Sequence, residues 1–85
     1  MVMNGKDFED VAGGDAQAVC AAISEAYTIF EANNVLPNSF RCGDITGNEI
    51  YEVKVIGGPS GELVLHIFDE KGEEQLGWAD TGIIL

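Results

Sequence analysis

Along residues 15 to 33, apolar side chains recur every three or four positions, at Ala16, Val19, Ile23, Ala26, Tyr27 and Phe30, with Gln17, Ser24, Glu25, Thr28 and Glu31 between them. That spacing draws one apolar stripe along an α-helix. Gly13-Gly14-Asp15 supplies the start signal, and Asn33-Asn34 followed by Pro37 supplies the stop, since Asn tolerates the left-handed terminal conformation and Pro cannot continue a helix. The pattern predicts a helix over residues 15–34. Ahead of it, Phe8, Val11 and Ala12 have the spacing of a single helical turn. Two adjacent glycines in a helix interior cost about 2 kcal/mol, so residues 1–14 are expected to form a separate segment with a short turn and a bend.

After Pro37 the period changes to two. Glu49 to Ile56 alternates, with Tyr51, Val53 and Val55 on one face; Glu62 to Phe68 alternates likewise, with Leu63, Leu65 and Ile67 on one face. Gly57-Gly58-Pro59-Ser60-Gly61 reads as the hairpin loop between them. Placing Ile56 opposite Glu62 sets Val55 against Leu63, Val53 against Leu65 and Tyr51 against Ile67, which makes one face of the pair wholly apolar. A second turn, Asp69-Glu70-Lys71-Gly72, has the Asp-first, Gly-last form of a type I turn and leads into a strand over Glu74 to Ala79. Pairing Asp69 with Glu74 would bring Leu76 and Trp78 onto the face of Leu65 and Ile67. Phe40-Arg41-Cys42 adds a candidate strand before a turn over Gly43 to Asn48. These elements predict one α+β domain over residues 1–85: a single N-terminal helix packed in two layers on a three- to four-stranded antiparallel meander spanning residues 39–85.

Composition sets the next limits. A chain of 85 residues buries only a little over ~60% of the surface its unfolded form exposes, so the core is thin; 46% apolar residues are enough to fold it. The longest apolar run, Ala18 to Ile23, is far short of the roughly twenty residues of a bilayer crossing. With no basic stretch and apolar run at the start, the expected compartment is the cytoplasm, and Cys20 and Cys42 are expected as free thiols. Fifteen acidic residues against four basic ones give a formal charge of −11. Such a field repels nucleic-acid phosphates and anionic lipid and attracts basic surfaces.

Candidate chemistry is sparse. His66 is the sole histidine, and the register above sets it across from Glu52, the arrangement of a surface ion pair. Cys20 falls at the margin of the helix stripe, where it reads as a buried or half-buried small hydrophobe; Cys42 beside Arg41 is slightly better placed for reactivity. Three Cys and His residues in all are too few for a structural zinc site, and residues 69–74 lack the alternating ligands of a calcium loop. The glycine-rich loop runs from strand to strand instead of onto a helix, so it is hairpin punctuation and not a phosphate cradle. No catalytic residue, cofactor or metal is therefore assigned.

Acidic residues gather in two stretches, Asp7, Glu9, Asp10 and Asp15 near the N-terminus, and Asp69, Glu70, Glu73 and Glu74 around the second turn. All but Asp15 are the candidate partner-binding residues of a non-enzymatic acidic protein that docks on a basic surface of a partner protein and modulates or inhibits it. Two alternatives stand beside this expectation. One is an inhibitor of a nucleic-acid-handling protein acting by nucleic-acid mimicry, of the phage or mobile-element kind; the other is a small enzyme or ligand-binding domain whose pocket is shared across a dimer. The chain is expected as a monomer or homodimer. Ile83-Ile84-Leu85 must dock on its own core, along a sheet edge or on a second molecule.

Overall fold

The computed structural model describes residues 12–44, 46–58 and 61–84. Chain order is β1 (Ala12–Gly14), α1 (Ala16–Asn33), β2 (Ser39–Gly43), β3 (Ile50–Gly57), β4 (Glu62–Phe68) and β5 (Gln75–Ile84). The strands form one antiparallel sheet in the order β1-β5-β4-β3-β2, and α1 packs across one face of it. The α+β, helix-on-sheet architecture is the expected one, with five strands where three or four were predicted. The additional strand is β1, whose Ala-Gly-Gly sequence has no alternation to read. Ala12 therefore lies in an edge strand and not in a helical turn. Phe8 and Val11, the rest of that expected turn, lie outside the described residues.

Helix α1 starts where Asp15 caps it: Asp15 Oδ1 accepts the Gln17 N–H at 3.0 Å and the Ala18 N–H at 3.2 Å. It ends at Asn34, in the left-handed conformation with φ 59°, whose N–H donates to the Phe30 carbonyl at 2.7 Å. Ala18, Val19, Ala22, Ile23 and Ala26 form its buried face, while Ala16 is exposed. Three alanines on that face let the helix lie close to Tyr51, Val53, Leu65 and Ile67, which project from the sheet.

The β3–β4 hairpin differs from the expected register by two residues. Val55 pairs with Leu65, Val53 with Ile67 and Glu52 with Phe68, because Gly57 and Gly58 continue the pairing into the loop, Gly58 N donating to Glu62 O at 2.7 Å. An even shift preserves the faces, so the apolar face is the predicted one. It does change the neighbours: His66 stands across from Lys54 on β3 and Trp78 on β5, not from Glu52.

The β4–β5 turn closes as expected, with Asp69 N donating to Glu74 O at 2.9 Å. Immediately beyond it a β-bulge intervenes: Phe68 pairs with Gln75, but Ile67 pairs with Gly77, so Leu76 is an extra residue. Its carbonyl accepts the Asp15 N–H at 2.8 Å. The bulge inverts all that follows, turning Gly77, Ala79 and Thr81 inward and Trp78 outward. The expectation that Trp78 joins the core face is thus corrected, while Leu76 packs half-buried against the core. A Cβ on Gly77 would stand 2.6 Å from the Gly13 carbonyl oxygen and 2.7 Å from Val19 Cγ2, so glycine is what lets β1 and α1 approach β5.

A second irregularity lies between Glu62 and Val64. There the buried Thr81 hydroxyl donates to the Leu63 carbonyl at 2.8 Å and accepts the Ile83 N–H at 3.0 Å, a side chain replacing missing ladder bonds. Ile83 packs on the chain's own core, and Ile84 is exposed opposite Glu62.

Candidate functional site

A meander alternates its turns between the two ends of the sheet, so the β2–β3 and β4–β5 turns fall at the same end. The β1-to-α1 junction joins them there, because Gly14 pairs with Gly77 near the start of β5. Asp7, Glu9 and Asp10 lie outside the described residues, which leaves twelve of the fifteen carboxylates. Eight of these twelve gather at this one end: Asp15, Asp44, Glu49, Glu52, Asp69, Glu70, Glu73 and Glu74. Among the described residues Lys71 and Arg41 are the cations beside them, so these residues give the end −6.

Several of these carboxylates are fixed by the backbone. Asp44 Oδ1 accepts from Thr46 Oγ1 at 2.8 Å and from the Asn48 N–H at 3.1 Å. The Thr46 hydroxyl and neighbouring backbone N–H groups hold its carboxyl below the usual aspartate range. Asp69 Oδ1 accepts the Glu73 N–H at 2.7 Å, so this predicted site residue is also part of its own turn. Glu70, Glu73 and Glu74 are exposed. Glu52 reaches the same turn, its Oε2 lying 3.2 Å from where a Gly72 Cβ would stand.

Tyr51 senses this concentration of charge from within the core. Its hydroxyl donates to Glu49 Oε2 at 2.9 Å. Burial, the Glu49 hydrogen bond and the negative fields of Glu49, Asp44 and Asp15 push its pKa up from 10.0 to about 12. Sequence reasoning singled out the 69–74 stretch of this end and grouped Asp15 with the N-terminal acidic residues. The alternation of turns in a meander was the signal that could have added Asp44, Glu49 and Glu52.

An open groove of about 530 Å³ runs between the first half of α1 and the β2–β3 turn, lined by residues including Cys20, Ser24, Glu25 and Asp44. Cys20 is exposed there, not buried, because the alanine-rich stripe draws the helix down on its Ala18-Ala22-Ala26 side. Cys42 is the buried thiol. Burial and the charge of Glu25 push its pKa up from 9.0 to about 11, so its position beside Arg41 does not make it reactive. His66 lies on the opposite face of the sheet, its Nδ1 3.0 Å from Gln75 Nε2, and cannot activate either thiol. Among the described residues no three His, Cys, Asp or Glu side chains converge to hold a metal ion, and no helix is long and apolar enough to cross a membrane. No protein-family model, curated protein or solved structure matches the chain.

Proposed function

We propose that this protein is a non-enzymatic binding protein whose acidic end docks on a basic surface of a partner protein and modulates or inhibits it. The observation that carries this reading is the gathering of eight of the twelve described carboxylates at one end of the sheet. Exposed ion pairs contribute about 0.2–1 kcal/mol each, so single contacts matter little. A pole of −6 instead steers encounter and rewards a partner that meets many of its charges at once. The general form is preferred over nucleic-acid mimicry because the long helix carries only Glu25 and Glu31 and forms no phosphate-like ladder. It is preferred over a small enzyme because the sheet separates His66 from both thiols.

Proteins captured from the source cell by the wild type at about 0.05 M salt should be released by about 0.5 M. The triple variant Glu70→Lys/Glu73→Lys/Glu74→Lys should lose them. Glu25→Lys/Glu31→Lys/Glu62→Lys, which changes the net charge equally but elsewhere, should retain them. Equal behaviour of the two triples, or capture indifferent to salt, removes the reading.

A further inference from the structure

The face of the sheet turned away from α1 is apolar for a surface that none of the described elements covers. Of the five large hydrophobic side chains exposed among the described residues, four share it: Ile50 (44% exposed), Ile56 (49%), Trp78 (42%) and Ile84 (69%). Val64 and Phe68 lie half-buried between them. Trp78 rests over β1, its Nε1 2.6 Å from where a Gly13 Cβ would stand. This face also escapes most of the charge. Arg41 and Lys54 against Glu52, Glu62 and Asp80 leave it at −1, whereas all described residues together, three cations and twelve carboxylates, carry −9.

We propose that a second copy of this chain covers this face, in a two-fold dimer whose axis runs along β4. Two features select that occupant. The first is charge complementarity: rotation about β4 lays β3 of one copy over β5 of the other. Lys54, whose Nζ stands 4.9 Å from the Phe68 ring centroid, thereby meets the half of the face that carries Trp78 and Asp80. The same contact recurs on the other side of the axis, as an isologous interface requires. The second is area. Five strands about 4.8 Å apart, from about 10 Å (β1) to about 34 Å (β5) long and about 22 Å on average, pleated and corrugated by side chains, let two copies bury on the order of 1,000 Å², the lower bound for a specific interface.

The test is the mass in solution from about 1 μM to 1 mM by sedimentation, read alongside the emission of Trp78, the only tryptophan. The wild type should pass from 9.1 kDa to twice that mass, with a blue shift of emission over the same range. Salt should strengthen the dimer, because each copy carries −11, whereas it weakens docking by the acidic end. Lys54→Asp alone and Asp80→Lys alone should each weaken the dimer at least ~10-fold, about 1.4 kcal/mol, by setting like charges against each other. An equimolar mixture of these two variants should form a heterodimer, since each then meets its opposite. Circular dichroism of each variant alone checks that it is folded. Glu70→Lys/Glu73→Lys/Glu74→Lys should dimerise at least as tightly as the wild type, since it relieves the repulsion between the two acidic ends, which separates failure here from failure of the docking reading. A monomer throughout the range overturns the proposal, whether emission shows Trp78 in water or covered by the chain's own residues 1–11. So does a dimer that both charge variants leave intact, or a mixture that fails to pair. Binding of a single-stranded oligonucleotide to this face in preference to a second copy overturns it as well.

Discussion

Replacing Thr81 by Val removes one hydroxyl and little else, and the structure sets what that hydroxyl is worth. Thr81 is fully buried, and both side chains are β-branched and nearly equal in volume, so no cavity opens. Lost are the bond to the Leu63 carbonyl at 2.8 Å and the bond from the Ile83 N–H at 3.0 Å. Leu63 stands where the β4–β5 register slips between Glu62 and Val64, so the regular ladder is interrupted beside its carbonyl. A buried acceptor left unpaired costs about 1–3 kcal/mol, and the half-buried Ile83 donor adds about 0.5–1.5. A fall of about 2–3 kcal/mol is expected, against a total of about 4–13 for a domain of this length. It corresponds to a drop of roughly 10–20 °C in Tm. Thr81→Ser is the control, because it keeps both bonds and loses one methyl group, about 1 kcal/mol. Urea unfolding followed by circular dichroism at fixed protein concentration gives both values. If Thr81→Val is as stable as the wild type, or Thr81→Ser falls further than Thr81→Val, the hydroxyl is not what closes this bulge.

Two other expectations follow from the packing and the titrating groups. Gly77→Ala drives a Cβ to 2.6 Å from the Gly13 carbonyl oxygen and 2.7 Å from Val19, so β1 or α1 must move; an overpacking loss of about 1–3 kcal/mol is expected in the same unfolding assay, with amide exchange speeding up first at Ala12–Gly14. Cys42 and Tyr51 both have their pKa raised in the fold, from 9.0 to about 11 and from 10.0 to about 12. The unfolded chain therefore releases these protons first, and stability should fall as pH climbs from about 9 through 12. Cys42→Ala should flatten the lower part of that fall, and a slope unchanged by the substitution would discount the thiol.

The helix was legible because each of its signals is local: a stripe of period 3.6, a capping Asp15 and a left-handed Asn34 all lie within twenty residues. Strands β3 and β4 were legible for the same reason, their alternation lying within each strand, while β2 was marked only by Phe40-Arg41-Cys42 before a turn. What escaped depended on contacts distant in sequence. Gly13 and Gly14 look like punctuation, yet they form a strand because Gly77, more than sixty positions away, gives them room. Trp78 was expected on the core face because pairing Asp69 with Glu74 and an unbroken alternation carried it there with Leu76. The bulge at Leu76 reversed it, and that bulge exists because the Leu76 carbonyl holds the Asp15 N–H at the helix start. Of the acidic end, the residues contiguous in sequence were visible; Asp15 was grouped with the N-terminal acidic residues, and it, Asp44, Glu49 and Glu52 join the 69–74 turn through topology.

The two surfaces proposed to bind are not independent. A two-fold axis along β4 preserves direction along the strands, so in the dimer both acidic ends face the same way, each with −6. Bringing them side by side costs Coulomb energy that salt screens over about 10 Å at 0.1 M, which favours separate copies when salt and partner are scarce. A basic surface broad enough to touch both ends removes that repulsion and gains a second set of contacts without a second encounter. By linkage, whatever such a partner adds to dimer stability the dimer returns as affinity for the partner. The placement of charge thus couples assembly to docking: seven of the eight carboxylates of that end lie at its turns and at the helix start, off the face that pairs, and oppose that pairing until a cationic surface neutralises them.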